Sequence, residues 1–328
     1  MTIPTMPIGF ARIYATLRAI LSVFHGGLFR CAVSSGGERV NSRWMIAQGR
    51  TVLTAGAVLA VLLLAGSWLF SHPMSVSANQ SVILLPAAMY HSVTDAGDSP
   101  AQYVISPSML ESDLQYLQAH GRETVTIHDL LAYVQDGAAL PEKPVLLTFD
   151  DGYYNNYKYA YPLLKQRGMK AVVSIIGSQT ALFTDNGEEN AYWSHLRLDR
   201  LREMQDVFEV QNQFWNLHEY SERRGCLRRR GEAKTRYETL LRQDTEQTQT
   251  LITDAGLPAP TCYTYPFGAC SKESETLLKS MGFRCTLGCE ERVNTVTRNP
   301  DCLFELGRFN RPAGQSTESF LHRALGED

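Results

Sequence analysis

The sequence predicts an α/β protein: a (β/α) barrel preceded by one membrane-spanning helix. Three observations carry that prediction. Strand-like and helix-like segments alternate from residue 82 onward; the apolar strand Val145-Leu146-Leu147-Thr148-Phe149 stops at Asp150-Asp151-Gly152; and residues 52–70 run 19 positions without a charge. Such alternation builds a parallel sheet covered by helices, and its extent suits a barrel better than a short open sheet.

Residues 1–51 read as a basic cytoplasmic segment, with Arg12, Arg18, Arg30, Arg39, Arg43 and Arg50 set against Glu38 alone. Residues 52–70, rich in leucine and valine, are long enough as a helix to cross most of a ~30 Å hydrocarbon core, and they show no polar face. Arginines before this run and none soon after it place the N-terminus inside, which makes the chain a single-pass protein of the cell membrane with its main domain extracytoplasmic. A cleaved signal peptide ending near Val76-Ser77-Ala78 is the alternative, but the apolar run exceeds the usual signal length. Met45 stands where a short tail before an anchor would begin and is an alternative start. With Met1 as the start, residues 10–29 read as a basic amphipathic helix on the inner membrane surface. Residues 71–80 read as a linker and 81–328 as one domain, without repeats or low-complexity tracts.

Within that domain strands are expected at 82–89, 145–149, 171–176, 207–211, 261–265 and 283–287, and helices at 106–120, 126–136, 157–167, 198–204, 234–255 and 272–281. Ser106 or Ser108 caps the first helix, and Gly282 ends the last. In this architecture reactive groups collect at the C-terminal ends of strands.

A formal net charge of −3 on 328 residues gives no global attraction to nucleic acid. Arg223, Arg224, Arg228, Arg229 and Arg230 form a local basic cluster, read as a solvated loop or as a patch for an anionic polymer or lipid headgroup. Six of the seven cysteines, Cys226, Cys262, Cys270, Cys285, Cys289 and Cys302, fall on the extracytoplasmic side, where up to three disulfides or unpaired buried thiols are open readings. Cys285 and Cys289 lack the second close pair that a zinc site needs.

Four strand ends carry the chemistry: Met89-Tyr90-His91, Thr148-Phe149-Asp150-Asp151-Gly152, Gln211-Asn212-Gln213-Phe214-Trp215-Asn216-Leu217-His218, and Thr264-Tyr265-Pro266-Phe267-Gly268. In this order they resemble the NodB-homology polysaccharide deacetylases, carbohydrate esterase family four, in the anchored or secreted bacterial branch with an N-terminal MYH motif. The resemblance spans about residues 82–320. It implies a distorted (β/α) barrel of the polysaccharide deacetylase type, with Asp150 as catalytic base, Asp151 and His218 as metal ligands and His91 as candidate general acid. It further implies the backbone N–H of Phe267 as oxyanion donor, with Tyr265 and Pro266 forming a groove wall. The implied cofactor is a divalent metal, zinc first and cobalt or nickel also admissible, which would polarise the acetamide and acidify its water. Tyr153, Tyr154, Trp215 and Tyr265 flank the expected groove as candidates to stack on sugars.

Two departures from the family pattern stand out. Relatives read N-H-T-[YW]-N-L-H where this chain has Asn212-Gln213-Phe214-Trp215-Asn216-Leu217-His218, so an amide, Gln213, replaces the first metal imidazole and the bulky Phe214 replaces a small threonine. A neutral oxygen ligand suits calcium or magnesium better than zinc, and metal affinity is expected to fall. No arginine stands at the family's third motif, where Cys262 and Thr264 lie, which leaves Asp150 without an evident orienting group.

The resemblance implies metal-dependent removal of N-acetyl groups from a cell-wall or surface polysaccharide, of the peptidoglycan or poly-N-acetylglucosamine type. A degenerate domain that binds N-acetylated glycan without turning it over is the alternative, and an amidohydrolase acting on a non-glycan substrate is a third reading. Glycosidase action is disfavoured because adjacent carboxyls do not flank a glycosidic bond at the ~5–9.5 Å separation it requires.

Overall fold

A computed structural model describes residues 82–95, 101–217 and 223–326. The expected cytoplasmic segment, the alternative start Met45, the apolar run 52–70, the linker 71–80 and His218 lie outside the described residues. Among those described, no helix is long and apolar enough to cross a membrane. They fall in one compact unit, Ala78–Asp328.

In chain order the strands are β1 (Ile83–Leu85), β2 (Ala87–Tyr90), β3 (Ser92–Val93), β4 (Val104–Ile105), β5 (Glu123–Val125), β6 (Pro144–Phe149), β7 (Ala171–Ile176), β8 (Phe208–Phe214), β9 (Cys262–Thr264), β10 (Cys285–Leu287), β11 (Asn294–Val296) and β12 (Phe309–Asn310). The helices are α1 (Pro107–Ala119), α2 (Ile127–Leu131), α3 (Tyr161–Gln166), α4 (Gly177–Asn186), α5 (Leu198–Glu203), α6 (Lys234–Asp254), α7 (Lys272–Ser280) and α8 (Thr317–Leu325). The expected strand at 82–89 is split at Pro86, which has no N–H to give to a ladder. The helix expected over 126–136 starts as α2, with Thr126 and Asp129 forming a capping box, and widens into a π-helical turn at Ala132–Asp136. A second π-turn, Asn156–Ala160, precedes α3.

Every pairing in the main sheet is parallel, in the order β10-β9-β8-β7-β6-β2-β12, with β5 added beside the first half of β6. β6 and β7 are buried along their whole length, as strands covered on both faces must be. The sheet curls until its two ends approach: Leu306, three residues before β12, makes a parallel bridge to Leu287 at the end of β10. The result is a parallel α/β barrel, closed only by this short segment.

That segment is held by two buried arginines whose side chains leave it on opposite faces, as an odd spacing in an extended chain requires. Arg308 turns inward to Asp150, whereas Arg311 forms a two-nitrogen pair with Asp113 of α1 at 2.7 and 3.1 Å. Asp113 also accepts from Thr317 at the start of α8, so one carboxylate ties α1, α8 and the closing segment together.

The six described cysteines are all unpaired thiols. Cys262 and Cys285 are register partners on β9 and β10, both fully buried. Burial pushes the Cys226 thiol up to about 12. Within the basic cluster, Arg223 is buried against Glu232 at 2.6 Å and Arg228 meets Glu273 at 2.9 Å.

Candidate active site

β6 delivers Asp150 and Asp151 to the C-terminal rim of the sheet. Asp150 stays in extended register, its N–H donating to Tyr90 O of β2. The chain then turns sharply, with φ of 67° at Asp151 and 66° at Gly152. Asp tolerates the left-handed region, but position 152 admits only glycine, because a Cβ there would lie 2.9 Å from Ile175 Cγ2. This turn points the two adjacent carboxylates in different directions.

Asp150 is 3% exposed and meets Arg308, which is fully buried, in a bidentate pair: one terminal nitrogen 2.6 Å from Oδ1, the other 2.9 Å from Oδ2. Arg308 spends its remaining donors on Gly288 O and Thr148 Oγ1. Burial works against the guanidinium's charge, but Asp150 more than offsets it, so the arginine's proton is held more tightly than usual. Such a fork fixes the plane of the carboxylate. This is the orienting group that the third motif lacks, supplied from the other end of the domain. Cys289 lies against it, with Sγ 4.0 Å from the guanidinium, and packs so closely on Gly268 of the Tyr265-Pro266-Phe267-Gly268 loop that a Cβ there would fall 2.7 Å from its own.

Asp151 is half-buried and engaged by three residues. Its N–H donates to Gln213 Oε1 at 2.9 Å, and its Oδ1 accepts from Gln213 Nε2 at 3.0 Å. The Tyr153 phenol lies near the same carboxylate, and burial together with that negative charge pushes it up to about 12. Its main-chain carbonyl accepts from His195 Nδ1 at 2.8 Å, which fixes the proton of that ring on Nδ1 because a carbonyl only accepts. Burial lowers the pKa of His195. The orientation of the Gln213 amide follows by the same logic: a backbone N–H only donates, so the facing atom must be oxygen and the NH₂ must face the carboxylate.

Gln213 was expected to offer its amide oxygen to a metal. That oxygen is instead occupied by the Asp151 N–H, and the amide directs a donor toward the carboxylate, where a metal ligand would present a lone pair. Among the described residues no group of three or more His, Cys, Asp or Glu side chains comes together as a metal cluster. The described side chains therefore supply one anionic ligand, Asp151, and do not complete a three-ligand metal site.

His91 follows β2 and stacks on Tyr103 at 5.7 Å between ring centroids; its Nδ1 is buried without a hydrogen-bond partner. The loop carrying it is tied to the catalytic turn by buried Asn155 and Asn156. Asn155 accepts from Val93 N–H and donates to Ser92 Oγ and Ala191 O, while Asn156 donates to His91 O. Phe267 takes a left-handed φ of 57° in a single 3-10 turn, Pro266–Gly268.

Of the four residues expected to stack on sugars, Tyr265 is buried, whereas Tyr153, Tyr154 and Trp215 are half-buried. Pro266 is buried as well. Trp215 sits over Gly177, where a Cβ would meet its ring at 2.7 Å, and it lines a cavity of about 860 Å³ with Leu198, Arg202 and Gln243, residues of α5 and α6. Phe214 is fully buried and clusters with Tyr237 and Leu241 of α6, so its bulk fills the core behind β8.

Comparison with known proteins agrees with this architecture. Residues 137–286 match the family model for polysaccharide deacetylase. Over 93 residues it is 39% identical to the YxkH protein of Bacillus subtilis (strain 168), whose name places it with the polysaccharide deacetylases; the match covers 28% of this chain and 32% of that one. A poly-beta-1,6-N-acetyl-D-glucosamine N-deacetylase of Staphylococcus aureus (strain MRSA252) is 22% identical over 60% of this chain and 65% of its own length. The chain thus spans less than two thirds of either curated relative. Among solved structures, the deacetylase PplD of Streptococcus pyogenes superposes with a TM-score of 0.59 at 19% identity, covering 74% of this chain and 99% of PplD. IcaB of Ammonifex degensii superposes with a TM-score of 0.58 at 24% identity over 74% of this chain and 95% of its own. These likenesses concern the fold.

Proposed function

We propose that this domain hydrolyses N-acetyl groups on an extracytoplasmic polysaccharide of the poly-N-acetylglucosamine or peptidoglycan type, and that the chain is anchored to the membrane through residues 52–70. The buried Arg308–Asp150 pair carries the reading. Removing two charges from water is costly, and hydrophobic side chains of similar volume would serve stability as well or better. Retaining the pair at a strand end beside a second carboxylate makes sense if the fixed carboxylate has work to do.

In this reading Asp150 takes the proton of the attacking water from a plane set by Arg308. His91, stacked on Tyr103, protonates the departing amine. The Phe267 N–H, turned by its left-handed backbone, meets the negative charge that develops on the carbonyl oxygen. Bonds balance: water gives a hydroxyl to the acetyl carbon, the C–N bond breaks, and acetate and a free amine leave. A divalent metal belongs to the family pattern, where Asp151, His218 and a histidine at the position of Gln213 would hold it and it would polarise the acetamide, but the described residues do not complete that site.

A second reading is supported by the same Gln213 amide: a domain that has kept the fold and glycan affinity without turnover. Acetate release from N-acetylglucosamine oligomers, set beside binding of the same oligomers, separates the two. Release that is lost in Asp150→Asn supports hydrolysis; binding without release in the parent overturns it.

A further inference from the structure

The catalytic turn carries a second feature on its outer side. The loop after α4 runs back antiparallel to it: Tyr153 and His195 form a bridge, Tyr154 N–H donates to Ser194 O at 2.8 Å, and Leu196 N–H donates to Gly152 O at 2.7 Å. At the tip of this loop stand two adjacent exposed aromatic residues, Tyr192 at 64% and Trp193 at 56% exposure.

These rings are open but not loose. Tyr192 N–H donates to Asn190 Oδ1, Asn190 N–H donates to Ser194 Oγ, and the indole N–H of Trp193 donates to Glu188 Oε1 at 2.6 Å. Asn155, which holds the His91 loop, also holds Ala191, the residue just before Tyr192. Trp193 is two residues from His195, at most about 7 Å of chain. His195 in turn donates to Asp151 O. The rings are therefore carried on the same short loop that hydrogen-bonds the main chain of Asp151.

We propose that Tyr192 and Trp193 form a sugar-binding platform that stacks on a pyranose ring of the polysaccharide neighbouring the residue presented to Asp150. The inference takes its ligand class from the hydrolytic reading above. A pyranose face is lined with C–H groups, apolar and weakly positive, which suits the negative face of an aromatic ring, while the polar tips of Tyr and Trp tolerate water between encounters. Two large rings left in solvent beside a candidate active site mark a place of binding more than of packing. Asp185 and Glu188 beside the loop disfavour an anionic lipid surface as the occupant, Glu189 being paired with Arg200.

The test uses the full chain and compares affinity for a disaccharide and a hexasaccharide of N-acetylglucosamine in the parent, in the double variant Tyr192→Ala/Trp193→Ala and in Trp193→Phe. Both side chains are exposed, so these substitutions leave the core intact. The platform predicts that the double variant loses about tenfold in hexasaccharide affinity, close to 1.4 kcal/mol, with the disaccharide unchanged and Trp193→Phe near the parent. Equal hexasaccharide affinity in parent and double variant overturns it. So does a parent that binds neither oligomer, or a loss that falls instead on binding to vesicles of anionic phospholipid. If the length-dependent loss is seen but the parent releases no acetate, the platform stands and the hydrolytic reading falls.

Discussion

Arg308 grips Asp150 with both terminal nitrogens, at 2.6 and 2.9 Å, across 158 positions of sequence. The pair closes the barrel and aims its central carboxylate with one contact, so structure and chemistry should fail together. Arg308→Ala leaves a buried carboxylate unpaired and is expected to cost about 3–5 kcal/mol of stability, measured by urea unfolding. Arg308→Lys keeps the charge without the fork; it should unfold closer to the parent yet lose most acetate release, because the plane of Asp150 is no longer fixed.

Gln213 should behave as a clamp on Asp151. In Gln213→Ala the Asp151 N–H and Oδ1 lose their shared partner, for an expected loss of about 1–3 kcal/mol in thermal or urea unfolding. Gln213→Glu cannot donate to a carboxylate and sets two like charges face to face. At neutral pH it should be the less stable variant, recovering when a divalent cation is added.

Asn155 joins three segments through one buried amide. Asn155→Asp replaces the NH₂ that faces Ser92 Oγ and Ala191 O with an oxygen, which is expected to destabilise the fold by at least about 1–3 kcal/mol and to loosen the His91 loop and the Tyr192–Trp193 loop together. Faster amide hydrogen exchange in both loops is the expected signature; exchange changed in only one would contradict the linkage.

Glu209, whose carboxylate accepts from His128 N–H and Gln211, has its pKa raised by burial. In the pH range between its unfolded and its higher folded value the folded state therefore binds the extra proton. The stability of the parent relative to Glu209→Gln should rise as pH falls from 7 toward 4, and fall as pH climbs back through the folded pKa. Chemical unfolding of both proteins at several pH values gives the difference directly.

The fold was readable in sequence where local signals are strong. Apolar runs gave β6 and β7, Ser106 capped α1 with Pro107 behind it, and the spacing of Tyr237, Leu241 and Thr248 gave α6 almost to its end. The two π-turns were not readable, since a widened turn keeps the apolar spacing of an α-helix. Nor were β11, β12 and α4, of which the first two are short and α4 has little amphipathic pattern.

In the site, the Asp150-Asp151-Gly152 turn was legible only in company with the other three strand ends, because an apolar strand running into an Asp-Gly turn is commonplace by itself. Arg308 did not, since its role depends on a two-residue strand pairing with β2 across the whole domain. The one available signal was the Arg308-Phe309-Asn310-Arg311 pattern, two arginines separated by a core phenylalanine. Sequence proximity to the motifs singled out Tyr153, Tyr154, Trp215 and Tyr265, of which Tyr265 is buried, and passed over the exposed pair Tyr192 and Trp193, which lies away from every motif.

Acetate release and bound metal, measured together on the full chain and on its Gln213→His and Asp150→Asn variants with zinc or cobalt supplied, test the central claim most directly. The parent is expected to release acetate from N-acetylglucosamine oligomers, Asp150→Asn to bind them without release, and Gln213→His to bind metal more tightly than the parent. A parent that retains the oligomers but releases no acetate with either metal, beside a Gln213→His variant that does, would contradict it and mark the natural chain as a glycan-binding domain.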